Sequence, residues 1–208
     1  MNYNNSDILQ DIHNYGISFS SREIFLHNFY GSEESNPGVE YRMANTFIKN
    51  ITTLNRKSSD DILVHMHSIG GEWSDGIAIF DAISMSKSKV SIIVYGQAES
   101  MSGVILQSAD QRIMTKNSYF MLHYGSSGIG GEYNNVHNWM KFEEQICNTM
   151  FDIYSKRCYK GIFFKEKYGG RKESIPKVKN WLKRKLKDGD WYMSSEDCIY
   201  YGFADSII

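Results

Sequence analysis

The sequence predicts one α/β domain, because short apolar strands alternate with helices along most of its 208 residues. Two observations support this prediction. Runs rich in β-branched residues, such as D-I-L-V-H-M-H at 61–67 and V-S-I-I-V-Y at 90–95, have the pattern of buried strands. Between such runs, apolar side chains recur at helical spacing, first at Met43, Phe47 and Ile51.

The composition is that of a folded protein. Hydrophobic residues make up 41% and aromatic residues 14%, which is enough for a sizeable core. The net charge of −1 does not predict attraction to nucleic acid or to an anionic membrane. We expect no signal peptide and no membrane-spanning segment. The scattered cysteines Cys147, Cys158 and Cys198 lack metal-site spacing and indicate reduced thiols in a cytoplasmic protein.

The first elements are separated by polar segments. Residues 1–20 are predicted to form a loosely held arm, and residues 21–208 a single domain. The first strand is predicted at 23–29, followed by a loop at 31–38 and then the first helix.

Paired glycines, Gly70 and Gly71, follow the strand at 61–67. Such a pair allows backbone torsions and close approaches that a Cβ would block. Ser74 or Asp75 is predicted to cap the helix that comes next.

A serine lies where the central strand gives way to a helix. Gly96 closes the run at 90–95, and the apolar residues after Met101 predict a helix that enters the core. Ser100 lies at the start of that helix, where the amides have no intrahelical acceptor and the dipole is positive. The Met101 amide could therefore hold an oxyanion formed when Ser100 attacks a carbonyl. The alternative is that Ser100 is only an N-cap.

Two short strands are predicted at 112–114 and 119–122, the second followed by His123. The segment at 125–131 is too rich in glycine to pack as an element. A long amphipathic helix is marked by Val136, Trp139, Met140, Ile146, Met150, Ile153 and Tyr154.

The C-terminal part is predicted to be mostly helical. A helix begins at Ser174 and Pro176 and is broken at 188–190. A last short helix opens at 193–196, and residues 203–208 close the chain.

Ser100, His123 and Asp190 are candidates for a serine-hydrolase triad. Such an enzyme needs a general base beside its nucleophile and an acid that orients the base. His123 follows a predicted strand and can project from the sheet edge, and Asp190 lies in a turn before the last helix. Spacing alone proves nothing, because a triad is recognised by its geometry.

Four segments in a specific order resemble the proteolytic subunit of the Clp protease family, a ring-forming serine peptidase. The resemblance runs from about residue 23 to residue 208. The segments are S-I-G-G at 68–71 with the helix residues 76–81, G-Q-A-E-S-M at 96–101, N-S-Y-F-M-L-H at 117–123, and D-W-Y-M-S-S-E at 190–196 with Y-G-F-A-D at 201–205.

The resemblance implies a role for each candidate. Ser100 would be the nucleophile, His123 the base and Asp190 the residue that orients His123. The oxyanion hole would consist of the Gly71 and Met101 amides. Substrate contacts would come from Gly70, Glu72, Tyr124 and Gly125, and the resemblance implies no cofactor and no metal.

The resemblance also implies an architecture and partners. The fold would be the spiral of ββα units shared with crotonases, and residues 125–131 with the helix after them would form a protruding handle. The family builds heptameric rings, stacks two of them around a chamber, and receives unfolded polypeptides from an AAA+ ATPase. A plain core helix is the alternative interpretation of the handle.

The sequence departs from the family pattern at three points beside the candidate site. Ile69 replaces the usual proline, and Ser102 stands where glycine normally follows the Ser-Met pair. Tyr124-Gly125 replaces Gln-Pro after the histidine, which alters a substrate-facing strand.

Insertions near 31–38 and 161–185 leave alternatives open. The second insertion precedes Asp190, so Asp188 is the alternative acid. Two other functions compete with the peptidase: an acyl-CoA hydratase of the crotonase type, and a non-catalytic ring subunit.

Two further features have structural interpretations. His65 and His67 alternate on a strand and share a face, and packing is favoured over a metal site because no further ligands are evident. A solvated helix face is favoured over nucleic-acid binding for the basic residues Lys177, Lys179, Lys183, Arg184, Lys185 and Lys187.

Overall fold

One mostly parallel sheet lies at the centre of the computed structural model, which describes residues 5–26 and 38–208. Within those ranges the strands are β1 (Ile17–Ser18), β2 (Glu23–Leu26), β3 (Ile62–Ser68), β4 (Val90–Glu99), β5 (Gln111–Met114), β6 (Tyr119–Leu122), β7 (Trp191–Ser194) and β8 (Ser206–Ile207). The helices are α1 (Asn5–Tyr15), α2 (Tyr41–Lys57), α3 (Trp73–Ser84), α4 (Met101–Leu106), α5 (Tyr133–Cys158), α6 (Ile162–Tyr168), α7 (Ile175–Lys185) and α8 (Ser195–Tyr201). The predicted α/β class is confirmed.

Strand β4 is central because it pairs with three other strands. The main order is β1-β2-β3-β4-β5-β8, which is parallel from β2 onward. The last part of β4, from Gln97 to Glu99, pairs instead with β6 in parallel. On its other edge β6 pairs with β7 in antiparallel orientation. This branch, β4-β6-β7, carries the candidate site.

Burial alternates along β3 and β4, which explains why these apolar runs form strands with one face in the core. The buried positions of β3 include Ile62, Val64 and Met66, and those of β4 include Val90, Ile92 and Val94. Helix α2 packs on β2 and α3, and α3 packs on α4. The helical spacing of Met43, Phe47 and Ile51 is confirmed, since all three are buried on one face of α2.

The predicted end of the central strand at Gly96 is wrong. Gly96 adopts a positive φ of 63°, and β4 continues beyond it to Glu99. The pairing of β3 with β4 shifts register between Met66 and Ser68 at this point. The irregularity lets the end of β4 take a new neighbour, because glycine tolerates the torsion that the bend requires.

The predicted cap of α3 by Ser74 or Asp75 is also wrong. Glu72 occupies the N-cap position and its side chain makes no capping bond. Both alternatives lie inside the first turn, where α3 already begins at Trp73.

Residues 5–20 contain regular secondary structure, whereas the sequence predicted a loosely held arm at 1–20. Helix α1 forms there, and β1 pairs with β2 in antiparallel orientation. Asn50 Nδ2 also donates to the Tyr15 carbonyl at 2.7 Å. The boundary between residues 20 and 21 stays a prediction. Positions 27–29 of the predicted first strand and 31–37 of the predicted loop lie outside the described residues.

Towards the C-terminus, α6, β7 and β8 were also not predicted from the sequence. Helix α6 is held by aromatic contacts, since Phe163 and Phe164 lie with ring centroids 5.0 Å and 5.3 Å from Trp181. The strands β7 and β8 have only four and two residues, and each pairs with a strand that is distant in sequence, β6 and β5 respectively.

Helix α5 projects from the body of the domain. Its buried residues lie near its C-terminal end, from Met150 to Cys158. Towards its N-terminus the large apolar side chains are exposed, including Tyr133 at 81% and Met140 at 62%. The alternative of a plain core helix is therefore wrong for this half of α5.

No helix in the described ranges 5–26 and 38–208 is long and apolar enough to cross a bilayer.

A partly buried ion pair joins β5 to the C-terminal segment. The Arg112 guanidinium donates to the Asp205 carboxylate at 2.5 Å and 3.0 Å, and to the Gly202 carbonyl at 2.9 Å. Burial of the Asp205 carboxyl raises its pKa, but the hydrogen bonds and the charge of Arg112 outweigh this, so its pKa lies below the ordinary value.

We expect Asp205→Asn to lower the free energy of unfolding by about 2 kcal/mol at pH 7. This is less than a fully buried pair would lose, because the Asp205 side chain is 41% exposed. The folded-state pKa is the lower one, so the stabilisation is complete above the unfolded pKa of about 4 and disappears as the pH falls through the folded-state pKa. Urea unfolding at several pH values measures it.

The control is Asp81→Asn on the exposed face of α3, which should change stability by less than about 0.5 kcal/mol. Equal stability of both variants at pH 7 would contradict the role of the Arg112–Asp205 pair.

Candidate active site

Strand register brings Ser100 and His123 together. In the parallel pairing of β4 with β6, Glu99 lies opposite Met121, and the Ser100 amide donates to the Met121 carbonyl at 2.9 Å. Ser100 directly follows β4 and His123 directly follows β6, so the two residues come close together at the same end of the paired strands. His123 Nε2 lies 2.7 Å from Ser100 Oγ, which is a hydrogen bond.

A second register brings Asp190 to the other side of His123. In the antiparallel pairing of β6 with β7, Leu122 lies opposite Trp191, so the residue after Leu122 faces the residue before Trp191. His123 Nδ1 lies 3.6 Å from Asp190 Oδ1, which is an ion-pair distance but too long for a hydrogen bond. The Asp190 side chain is 51% exposed.

Asp188, the alternative acid, lies at the end of a short 3-10 helix, Leu186–Asp188, and is exposed. In the described part of the chain it makes no ion pair with a histidine. The structure thus brings Asp190, rather than Asp188, to the imidazole.

Ser100 has a strained backbone, with φ 52° and ψ −121°. Such a torsion is costly for a residue other than glycine and is concentrated at functional sites. Ser100 holds the N-cap position of α4, but its side chain makes no capping bond. The interpretation of Ser100 as a simple N-cap is therefore wrong, since its hydroxyl is directed to His123.

The glycine turn after β3 lies against Ser100. A Cβ at Gly70 would come within 2.7 Å of both the Glu99 carbonyl oxygen and Ser100 Cβ, and within 2.8 Å of the Met101 amide nitrogen. With φ values of 89° and 149°, Gly70 and Gly71 adopt torsions that other residues avoid. Only glycine fits this close approach.

Pairing with Val39 orients the turn. The Val39 amide donates to the Gly70 carbonyl at 2.5 Å, and the Glu72 amide donates to the Val39 carbonyl at 2.9 Å. In such a parallel bridge the amide of the middle residue, Gly71, points away from Val39. The turn therefore presents a main-chain N–H on the side opposite Val39, while the Met101 amide lies at the start of α4.

The remaining predicted contact residues surround this centre. Gly70 is buried in the turn, Glu72 is exposed at the start of α3, and Gly125 has a φ of 88° with open space around it. The Tyr124 hydroxyl donates to the Lys183 carbonyl at 3.3 Å, and its ring lies 5.2 Å from that of Phe151. Their contact with a substrate stays a prediction.

None of the three cysteines has the properties of a competing nucleophile. Cys158 and Cys198 are buried, and burial raises the pKa of both thiols far above the usual range. Burial also raises the pKa of the partly buried Cys147. Since the thiolate is the reactive form, the raised pKa values disfavour all three cysteines as nucleophiles at neutral pH.

The two histidines of β3 are occupied by packing contacts. His65 lies between the rings of Phe25 and Tyr95, and its Nδ1 is 3.0 Å from the Tyr95 hydroxyl. His67 Nδ1 is 2.7 Å from the Tyr95 carbonyl oxygen. Across residues 5–26 and 38–208, no group of three or more His, Cys, Asp or Glu side chains is placed to hold a metal ion.

The basic face of α7 is partly engaged with α5. Lys179 Nζ is 2.7 Å from Asp152 Oδ1, and Lys183 Nζ donates to Asn148 Oδ1 at 2.6 Å. The interpretation of a solvated face is therefore wrong for these two lysines and holds for the exposed Lys177, Arg184 and Lys187.

Sequence reasoning missed one polar contact beside the site. The hydroxyls of Ser68 and Ser102 are hydrogen-bonded at 2.7 Å, although 34 positions separate them in the chain. The only available signal was that Ser102 stands at a position expected to be glycine.

The arrangement suits acyl transfer. A hydroxyl lies within hydrogen-bond distance of an imidazole, a carboxylate lies on the far side of that imidazole, and the glycine turn lies against Ser100 Cβ and the Met101 amide. These are the parts that nucleophilic attack on a carbonyl requires.

Comparisons with known proteins agree with this chemistry. The model of a family described as Clp protease matches residues 19–208. A protein of Deinococcus radiodurans named ATP-dependent Clp protease proteolytic subunit is 30% identical over 82% of this chain and 76% of its own. Proteins of the same name are 27% identical in Carsonella ruddii, over 83% and 81% of the two chains, and 28% identical in Streptococcus sanguinis, over 82% and 80%.

Proposed function

The chain belongs to the Clp protease family, and we propose that it is a serine endopeptidase that cleaves unfolded polypeptides through an acyl-enzyme on Ser100. The observation that carries this proposal is the 2.7 Å contact between His123 Nε2 and the hydroxyl of a serine with strained backbone torsions. A structural serine needs neither feature.

In the proposed mechanism, His123 is the general base. Ser100 Oγ attacks the carbonyl carbon of the scissile peptide bond while Nε2 accepts the hydroxyl proton. The carbonyl oxygen becomes an oxyanion that accepts hydrogen bonds from the Gly71 and Met101 amides. The protonated His123 then donates to the leaving amine, and a water molecule activated by the same imidazole releases the acyl group.

Asp190 is the proposed orienting acid. Its carboxylate favours the tautomer in which Nδ1 carries the proton and Nε2 is free to act as base. At 3.6 Å and half exposed, Asp190 interacts more weakly with the imidazole than a buried, hydrogen-bonded acid would. Substrate or neighbouring subunits that exclude water would strengthen this interaction.

The two alternative functions, a crotonase-type hydratase and a non-catalytic ring subunit, do not explain the contact between Ser100 and His123. A crotonase-type hydratase uses oxyanion amides but has no need of a serine hydroxyl bonded to a histidine. A non-catalytic ring subunit would need no contact between Ser100 and His123 at all. The family and the names of the relatives indicate a peptidase.

We further propose assembly into two stacked heptameric rings that work with an AAA+ unfoldase. The relatives are named as subunits of an ATP-dependent protease. The exposed apolar half of α5, with Trp139, Met140 and Phe142, is suited to contact a second ring. A cytoplasmic location stays a prediction.

Replacing the nucleophile tests the proposed reaction. Ser100→Ala should reduce kcat for a short fluorogenic peptide by more than about 10³-fold, because the acyl-enzyme cannot form. A fluorophosphonate should label the parent protein at Ser100, as identified by mass spectrometry. The control is Ser108→Ala, just beyond the same helix, which should keep full activity. Equal cleavage by Ser100→Ala and the parent would eliminate the mechanism.

The identity of the acid can be tested with two neighbouring carboxylates. We expect Asp190→Asn to lower kcat by about 10²-fold, less than the roughly 10⁴-fold loss of a buried triad acid, because Asp190 is half exposed. The matched control is Asp188→Asn, which should leave kcat unchanged. A larger loss in Asp188→Asn than in Asp190→Asn would reverse the assignment.

The proposed stacking of rings can be tested by sedimentation velocity. The parent protein should sediment as a double ring, and Trp139→Ser combined with Phe142→Ser should give single rings, because the apolar contact between rings is lost. Met85→Ser, at the exposed end of α3, serves as the control and should keep the double ring. A monomeric parent at micromolar concentration would rule out this assembly.

A further inference from the structure

Two buried hydroxyl groups meet beneath the candidate site. Ser68 is the last residue of β3 and Ser102 the second residue of α4, with exposures of 2% and 0%. Ser102 Oγ donates to Ser68 Oγ at 2.7 Å. A hydroxyl at such a depth is unfavourable unless it is hydrogen-bonded, so the pair is a specific link between strand and helix.

The link extends into the glycine turn. Ser68 Oγ accepts a hydrogen bond from the Gly70 amide at 3.3 Å. The path from α4 to the turn therefore consists of the Ser102 hydroxyl, the Ser68 hydroxyl and the Gly70 main chain. A serine in a helix usually bonds back to its own helix, whereas Ser102 reaches across to another element.

The position of this turn decides where its next amide lies. Gly70 lies so close to the Glu99 carbonyl, Ser100 Cβ and the Met101 amide that no side chain fits between them, and Gly71 follows it directly. A displacement of the turn away from α4 would separate the Gly71 and Met101 amides. An oxyanion hole loses efficiency when its donors are not held in place before the reaction.

We propose that Ser102 is a positioning residue that, through Ser68, holds the Gly70-Gly71 turn against the start of α4. The proposal rests on the serine-peptidase function proposed above and adds a named support to its oxyanion hole. Two of the departures from the family pattern lie on this path: Ile69, between Ser68 and Gly70, replaces a proline that would stiffen the turn, and Ser102 supplies a hydroxyl that glycine lacks.

The test compares Ser102→Ala with the parent in peptide cleavage. We expect kcat to fall about tenfold with KM unchanged, because the lost support matters only once the oxyanion has formed. Inhibition by a peptide aldehyde, whose adduct with the serine places an oxygen in the same hole, should weaken about tenfold. Binding of the corresponding cleavage product, which forms no adduct, should not change.

Ser155→Ala is the matched control. Ser155 is equally buried, and its hydroxyl donates within α5 to the Asp152 carbonyl at 3.3 Å. Ser155→Ala should lower the free energy of unfolding by an amount comparable to Ser102→Ala and should leave kcat unchanged. If Ser102→Ala does not fold, Ser68→Ala can replace it, because it removes the same hydrogen bond. Ser68→Ala should likewise lower kcat and leave KM unchanged.

A double-mutant cycle isolates the pair. The double variant Ser68→Ala with Ser102→Ala should have nearly the same kcat as Ser68→Ala alone, because Ser68→Ala already removes the hydrogen bond that Ser102→Ala removes. Fluorophosphonate labelling of the parent with unchanged kcat in Ser102→Ala would overturn this inference and leave the proposed function intact. A parent that is neither labelled nor active would instead refute the proposed function.

Discussion

The pairing register of β6 is the constraint on which the candidate site depends. This strand of four residues pairs with β4 on one edge and with β7 on the other. The first register sets His123 beside Ser100, and the second sets Asp190 beside His123. A slip of one residue in either pairing would turn side chains to the opposite face of the sheet. The buried Phe120 and Leu122 oppose such a slip, since it would turn them away from the hydrophobic core in which both are packed.

The form of β4 makes this branch possible. Its first part pairs with β3 and β5; after Gly96, β6 replaces β5 as its neighbour, and the pairing with β3 continues at Ala98. The strand then runs into Ser100, whose strained torsions direct the hydroxyl out of α4 and towards the imidazole. Strain of this kind persists only where the surroundings over-determine it. Here three features constrain Ser100: the hydrogen bond from its amide to the Met121 carbonyl of β6, the close approach of Gly70 to its Cβ, and the burial of helix α4.

The α6–α7 segment supports the acid side of the site. Trp191, next to Asp190, packs against the rings of both Trp181 and Tyr201, with centroids 5.6 Å and 4.8 Å away. Helix α7 is joined to α5 by the Lys179–Asp152 contact. It is joined to the segment after His123 by the Tyr124 hydroxyl. The insertion near 161–185, which left the identity of the acid open at the level of sequence, therefore lies where it can hold Asp190 in position.

Local patterns explain why much of this protein could be read from its residues. Helical spacing located α2, an apolar β-branched run located the start of β4, and the junction between strand and helix singled out Ser100. These signals depend on neighbours in the chain. Three features depend instead on residues that are distant in sequence, so no local pattern predicts them: the short β7, the extension of β4 past Gly96 and the Ser68–Ser102 pair. Whether a serine, a histidine and an aspartate meet is a question of strand register, and register is set by packing across the sheet.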